Sequence, residues 1–506
     1  MKTWLFFDHW HIEAQDNVAL YQGQPKWCPE ASYEDPSFDH LEMWPTVYRD
    51  YGSGRWLLLY YASSFPLMLM GAESEDGIHW QPMNRTKKQP PGEKCAPHHL
   101  FTVPTAGGGA VYIDPTSSDT RRYKFFFGQK GGPKAAQANL DAEAYLDEAI
   151  QKEIGIKPYL AEHRMAASAD GLEWEVDPAT SWGWAQHPTW QPEDPIFCFF
   201  NEERGLHTMI TRPGWGDRRV VLLTSPDTIK WSKPELLLQP DPLDPPQTHF
   251  YGMPVVAYEG LFVGFLWTAH FANCTRLDRF NQMWGHIDSQ LTYSYDGIRF
   301  QRGLREPFMP LNEPGLPGSA IIYPACLVEH NEELRIYSVG SRHWHGWHIG
   351  EHLKSKLKRP LPKGEGPSTA ILMHTLRKDG FMYLASEGGW ANFISKPMVL
   401  KEPKLSINAQ APYGEMRCQV CDMESRPLSG FSFEDNVPFI KNDALDWVLA
   451  WKGGSLTELV GEVVRLEFKF RHARLYAVRG DFHFVDAVDV TMIADGQPID
   501  TTPFDF

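Results

Sequence analysis

Two short acidic segments offer carboxylates that could act as a catalytic pair. Asp39 and Glu42 precede Trp44 and an apolar run, and Glu193 and Asp194 precede a second apolar run. Cleavage of a glycosidic bond needs one acid to protonate the leaving oxygen and a second carboxylate as base or nucleophile. We predict Glu42 and Asp194 as this pair, with Asp39 and Glu193 as the nearest alternatives. Each acid, taken singly, is as readily explained as a solvated loop residue beside a strand.

Histidine, aromatic and arginine side chains could hold a polar substrate beside these acids. In a strand, His343 and His345 would share one face. Aromatic rings can stack on sugars, and Arg342 could pair with a substrate carboxylate. The residues predicted to contact a substrate are Asp39, Trp44, His98, His99, His249, Tyr251, Arg342 and His345. For each histidine alone, a hydrogen bond to a loop carbonyl is the simpler interpretation, and for each aromatic residue it is packing between strands.

Imidazole is also a common metal ligand, and the chain contains 20 histidines. For each histidine, a hydrogen bond to a loop carbonyl is again a simpler interpretation than a bond to a metal. We therefore predict neither a metal site nor a cofactor.

One short pattern recurs along the chain and predicts the scaffold that positions these residues. The copies are Ser74–Trp80, Ser168–Trp174, Ser225–Trp231, Ser294–Phe300 and the degenerate Leu376–Phe381. Four of them carry Asp-Gly and the third carries Asp-Thr, which suit a tight turn between two strands. Five such turns predict five copies of one unit, as in a propeller whose blades have four strands each. In a propeller, Glu42 and Asp194 would open the inner strands of blades one and three and face each other across the funnel.

The predicted fold is all-β: a five-bladed β-propeller over residues 1–387, followed by a C-terminal β-sandwich over 388–506. Apolar runs of strand length fill the first region, whereas apolar and polar residues alternate in the second. The Ala- and Glu-rich stretch 134–154 predicts a helical insertion in blade two. Residues 485–506 are predicted as an acidic tail or an edge strand.

The composition of the chain argues against some classes of main binding partner. The formal net charge of the 506-residue chain is −16, which argues against nucleic acid or an anionic membrane as the main partner. A carbohydrate substrate is the expected partner, and the oligomeric state stays open. The seven cysteines are scattered and predict no disulfide framework. The apolar run before Asp8 is too short for a signal peptide, so the expected location is cytoplasmic, or periplasmic or secreted after processing.

Several sequence segments resemble those of a known protein family. Phe250–Gly260, Ile287–Gly297, Arg305–Phe308, Leu376–Phe381 and Val463–Tyr476 resemble a bacterial family related to glycoside hydrolase families 32 and 43. The resemblance implies a five-bladed propeller, a C-terminal sandwich and glycoside hydrolase activity in the clan that also contains families 62 and 68. Related glycosidases carry acids on blades one, two and three, whereas the expected blade-two position here reads His98-His99. The Trp-Met-Asn-Asp-Pro-Asn-Gly motif of invertases is absent from the sequence.

Three functions remain open on this basis. The first is hydrolysis of a plant or algal oligo- or polysaccharide by two carboxylates in the funnel. The second is a non-catalytic carbohydrate-binding propeller, which the departure at blade two favours. The third is a polysaccharide lyase in which His249 or His345, together with Tyr251, abstracts a proton from a uronate whose carboxylate Arg342 neutralises.

Overall fold

The computed structural model describes residues 2–37, 44–50, 52–62, 67–84, 96–103, 108–117, 119–130, 161–178, 192–213, 218–271, 285–345 and 369–499. The predicted helical insertion at 134–154 lies outside these residues. The chain divides into two compact units. One comprises Met1–Gln24, Glu329–Leu334 and Leu376–Phe506, and the other comprises Pro25–Val328 and Arg335–Thr375.

Short strands open the chain and contribute to both units. They are β1 (Lys2–Leu5), β2 (Ile12–Asp16), β3 (Val18–Gln22) and β4 (Lys26–Trp27). A short 3-10 helix, Pro29–Ala31, follows them.

The unit that starts at Pro25 is built from successive antiparallel sheets, the blades. Blade one contains β5 (Thr46–Arg49), β6 (Trp56–Ala62), β7 (Leu67–Ser74) and β8 (Gln81–Pro82), with β9 (His99–Val103) also paired to β7. Blade two contains β10 (Tyr112–Ile113), β11 (Tyr123–Lys130), β12 (Ala161–Ser168) and β13 (Glu175–Val176), with a 3-10 helix at Asp119–Arg121. Blade three contains β14 (Pro192–Asn201), β15 (Leu206–Pro213), β16 (Val220–Ser225) and β17 (Glu235–Leu238).

Blades four and five follow, and most residues of their strands belong to this unit. Blade four contains β18 (Thr248–Gly252) and β19 (Val255–Tyr258), both paired to β20 (Leu261–Phe271), and then β21 (Gly285–Ser294) and β22 (Gln301–Met309). Blade five contains β23 (Ile321–His330), β24 (Glu333–Ser341) and β25 (Thr369–Arg377). Its fourth strand is β4, with Trp27 opposite His374. The last blade is thus completed by a strand from near the start of the chain.

The repeated turns join the third strand to the fourth in blades one to four. In the first copy, the Ser74 hydroxyl accepts the Gly77 N–H at 3.0 Å. The Asp76 carboxylate accepts the N–H groups of Ile78 and His79 at 2.8 and 2.9 Å. Gly77 has a φ of 74°, the left-handed region that glycine adopts at little cost. The fifth copy differs, because Leu376–Phe381 lies within the other unit.

That other unit is built mainly of β-strands. Its remaining strands are β26 (Met382–Ser386), β27 (Ala391–Ser395), β28 (Met398–Cys421), β29 (Phe439–Val448), β30 (Val463–Arg471) and β31 (Arg474–Phe484). A 3-10 helix spans Leu456–Leu459, and helix α1 spans Ala487–Ala494. Alternate residues of β30 (Val464, Leu466, Phe468 and Phe470) are buried, as expected for a sheet with one face on a core.

The predicted all-β class, a propeller with a C-terminal sandwich, is confirmed. The compact units divide the chain differently from the predicted 1–387 and 388–506, because β2 pairs with β27 and β3 pairs with β26. These pairings place the first 24 residues with the C-terminal unit. Among the described residues, no helix has the length and apolarity that a membrane crossing requires.

Candidate functional site

The fully buried side chain of Trp267 holds together the inner strands of several blades. This residue lies on β20 of blade four, and its ring centroid is 4.5 Å from that of Tyr323 on blade five. The same ring is 5.2 Å from Phe197 on blade three and 5.9 Å from Trp44, which precedes the inner strand of blade one. Trp44 was predicted to contact a substrate, and it is buried, with 4% of its surface exposed, in this packing between blades.

Asp194 lies three residues before Phe197 of this aromatic cluster, at the irregular start of β14. The register of β14 against β15 shifts between Glu193 and Phe197, so the Asp194 segment departs from regular pairing. Asp194 is half-buried. A Cβ atom on Gly252 would lie 2.5 Å from Cγ of Pro195, so the chain next to Asp194 touches the chain next to Tyr251. Asp39, Glu42 and the side chain of Glu193 lie outside the described residues.

Tyr251 carries a hydrogen bond and a cation contact. Its hydroxyl lies 2.9 Å from Nε2 of His345, and both residues are buried. The guanidinium carbon of Arg212 lies 4.2 Å from the centroid of the Tyr251 ring, within the range of a cation–π interaction. Arg212 itself is 3% exposed. The predicted residues Tyr251 and His345 are therefore in direct contact, and Arg212, which was not predicted, lies over the ring.

His249 belongs to the same cluster. Its Nδ1 accepts the backbone N–H of Arg218 at 3.0 Å, which requires the imidazole proton, when the ring is neutral, to be on Nε2. The Arg218 guanidinium lies 5.4 Å from the ring centroids of both Tyr251 and Phe271. The imidazole of His249 packs against Phe271 with centroids 5.1 Å apart. Two arginines and one histidine thus contact Tyr251, and His249 joins the cluster through Arg218 and Phe271.

Arg342 has a partner within the protein. Its guanidinium donates to a Glu34 oxygen at 3.0 Å. Burial lowers the pKa of the neighbouring His343, and the positive charge of Arg342 lowers it further. In its predicted role of neutralising a substrate carboxylate, Arg342 would share its positive charge with Glu34.

His98 and His99 do not occupy the start of an inner strand in blade two. Strand β9 instead pairs with β7 at blade one. Nε2 of His98 lies 2.9 Å from a carboxylate oxygen of Asp35, and the Tyr60 hydroxyl donates to that oxygen. Nε2 of His99 lies 3.1 Å from the Thr102 hydroxyl. The expected position of His98 and His99 on blade two is therefore wrong. Both histidines lie in the protein interior.

Sequence reasoning missed the carboxylate of Asp35. Burial raises its pKa, but the hydrogen bonds from His98 and Tyr60 outweigh this effect, and the resulting pKa lies below the usual value. The Tyr33 hydroxyl extends the network and lies 3.0 Å from that of Tyr60. Burial raises the pKa of Tyr60 well above its usual range. Asp35 is 2% exposed, which suits a fixed structural anion better than a group that meets a substrate.

A third polar cluster lies on β20 and β21. Nε2 of His270 is 3.0 Å from a carboxylate oxygen of Asp288, and the rings of His270 and His286 stack with centroids 4.7 Å apart. Burial lowers the pKa of His286, and the adjacent His270 adds to this effect. This group could hold a metal ion. The available sequence signal was the spacing of His286 and Asp288, which puts both on one face of a strand.

Comparisons with known proteins find distant structural likenesses. No family model and no curated protein matches the chain. A thermostable family-43 glycoside hydrolase matches at 12% identity over 71% of this chain and 96% of that chain, with a TM-score of 0.39. The Bombyx mori GH32 β-fructofuranosidase matches at 11% identity over 89% and 95% of the two chains, with a TM-score of 0.39. An N-acetylgalactosamine deacetylase from F. plautii matches at 13% identity over 71% and 96%, with a TM-score of 0.42.

All three of these structures are under 25% identical to this chain and have TM-scores below 0.5. The chemistry of the site therefore has to be argued from its own residues.

Proposed function

We propose that the protein is a glycoside hydrolase acting on a plant or algal oligo- or polysaccharide, with Asp194 and Glu42 as its two carboxylates. The observation that carries this proposal is the position of Asp194. It is a half-buried acid at the irregular start of an inner strand, next to the segment that bears Tyr251. An acid in such a position can meet a substrate that enters from the strand ends.

The chemistry would divide between the two acids. One carboxylic acid protonates the leaving oxygen, while the other carboxylate activates water or attacks the anomeric carbon. A separation of about 5–5.5 Å between the carboxyl groups would predict retention of configuration, and about 6.5–9.5 Å would predict inversion. His249 lies on the same strand as Tyr251, and its Nδ1 accepts the backbone N–H of Arg218.

A second candidate function, polysaccharide lyase, is favoured by the Tyr251–His345 contact of 2.9 Å. A phenol and an imidazole in hydrogen-bond contact could take the proton next to a uronate carboxylate and pass it to the leaving oxygen. Because Arg342 is paired with Glu34, Arg212 would be the cation that neutralises the uronate in this scheme.

One experiment separates these functions. The wild-type protein is incubated with aryl glycosides and with plant and algal polysaccharides, and both reducing ends and ultraviolet absorbance are recorded. New reducing ends without absorbance support the hydrolase. New reducing ends with the absorbance of an unsaturated uronate support the lyase and contradict the hydrolase. Saturable binding of a polysaccharide without any product would instead indicate a carbohydrate-binding protein.

A further inference from the structure

His270, His286 and Asp288 lie on one face of the hairpin formed by β20 and β21. His270 and His286 are directly opposite each other in the antiparallel register, and Asp288 is two residues beyond His286. Side chains directly opposite across a strand pair, and those two apart along a strand, share a face. The potential ligand atoms of all three residues lie within 4.8 Å of one another.

The carboxylate of Asp288 is buried, and only one of its two oxygens has a hydrogen-bond partner among the described residues. Asp288 is 7% exposed, and one of its oxygens contacts His270. Its other oxygen, Oδ1, is buried and receives no hydrogen bond from any of the described residues. A buried anionic oxygen without a donor is costly, so a cation at this position would remove a real penalty.

We propose that His270, His286 and Asp288 form a binding site for a divalent transition-metal ion, with Zn²⁺ as the best match. Two imidazole nitrogens and one carboxylate oxygen are a ligand set that zinc accepts, and Ca²⁺ and Mg²⁺ prefer oxygen ligands. Ligand atoms about 2.0–2.2 Å from the ion would lie roughly 3.4 Å apart, so small side-chain rotations from the present spacing complete the site. The His270 side chain is 22% exposed, which leaves a path for the ion from solvent.

This site is distinct from the Tyr251 cluster. Phe271, the residue after His270, packs against His345 with ring centroids 5.8 Å apart. Successive side chains of a strand point to opposite faces, so His270 points away from the Tyr251–His345 contact. The ion would link β20 to β21, with its fourth position open to water or to an oxygen of a ligand. A metal with three protein ligands here is therefore independent of the proposed carboxylate chemistry.

The test is zinc binding by the chelator-treated full-length protein. Titration calorimetry with ZnCl₂ is expected to show one tight equivalent, whereas MgCl₂ and CaCl₂ give no comparable binding. His286→Gln and Asp288→Asn are each expected to weaken zinc binding at least about tenfold, because each removes a ligand. His79→Gln is the matched control, since His79 forms an exposed His–carboxylate pair with Asp76 at 2.7 Å without a second imidazole near it among the described residues.

Circular dichroism in chelator shows whether each variant is folded. If a variant does not fold, its zinc titration is replaced by the visible spectrum of the wild-type protein loaded with Co²⁺. Intense absorption typical of four-coordinate cobalt supports the site, and the weak spectrum of a six-coordinate ion contradicts it. No tight zinc binding by the wild-type protein would overturn the proposal. Equal zinc affinity in the wild-type protein and in folded His286→Gln and Asp288→Asn would also overturn it.

Discussion

The hydroxyl of Tyr251 and Nε2 of His345 are 2.9 Å apart, which joins the inner strand of blade four to the segment that follows β24 of blade five. The pair is buried, with 8% of Tyr251 and 5% of His345 exposed. A hydrogen bond in such surroundings contributes to stability whether or not the pair also takes part in catalysis.

A double-mutant cycle should reveal this coupling. Tyr251→Phe keeps the ring under Arg212 and deletes only the hydroxyl, and His345→Gln removes the imidazole. We expect Tyr251→Phe to lower the free energy of unfolding by about 0.5–1.5 kcal/mol. The two single effects should not add in the double variant, because both remove one bond. Urea unfolding followed by tryptophan fluorescence measures all four proteins, and fully additive effects would show that the contact contributes nothing.

The same variants separate the two candidate functions. If the protein is a hydrolase, Tyr251→Phe should retain measurable release of reducing ends. In a lyase that uses Tyr251 as its acid or base, the loss should be about 10²–10⁴-fold.

The Asp35 network predicts a dependence of stability on pH. The pKa of Asp35 is lower in the folded protein than its usual value of about 4. The ionised carboxylate therefore stabilises the fold above that usual value, and this contribution is lost as the pH falls through the lower, folded-state pKa. We expect Asp35→Asn to be less stable than the wild-type protein at neutral pH, and the difference to shrink below about pH 4.

Thermal unfolding between neutral pH and pH 3 measures this difference. Glu34→Gln is the control, because Glu34 is an adjacent, exposed acid whose ion pair with Arg342 should contribute little. A gap between the wild-type protein and Asp35→Asn that is constant with pH would contradict the prediction.

Gly252 permits the close approach of blades three and four. A Cβ there would be 2.5 Å from Cγ of Pro195 and 2.9 Å from the Trp267 ring. Gly252→Ala should therefore displace the chain next to Asp194, with a destabilisation of about 1–3 kcal/mol and a loss of activity. Gly303→Ala is the matched control, because its nearest neighbouring atom, the Leu291 carbonyl oxygen, is 3.5 Å away. Equal melting temperatures for the two variants would show that this contact is not tight.

The repeated architecture could be predicted from the sequence because its signals are local. Each Asp-Gly turn makes its hydrogen bonds within about five residues, as in Ser74–Trp80. A local signal was also overlooked near the C-terminus. Residues expected to form a tail or an edge strand include helix α1, whose start is capped reciprocally by Asp486 and Asp489.

Pairings between distant parts of the chain could not be predicted. His98 was assigned to blade two from its place in the chain order, but β9 pairs with β7. Likewise, the contact between His270 and Asp288 depends on the register between β20 and β21, which residues 272–284 connect. Single-sequence patterns identify strands and their exposed faces, whereas the partner of a side chain is fixed by register and by packing between blades.

The most direct test of the proposed hydrolase compares the initial rates of wild-type, Asp194→Asn, Glu42→Gln and Glu202→Gln proteins on a cleaved glycoside. Glu202 is an exposed acid directly after the end of β14 and serves as the matched control. We predict that Asp194→Asn and Glu42→Gln each lower kcat by about 10²–10⁴-fold, with circular dichroism unchanged, while Glu202→Gln keeps the parental rate. Parental rates in both Asp194→Asn and Glu42→Gln would contradict the assignment of this catalytic pair.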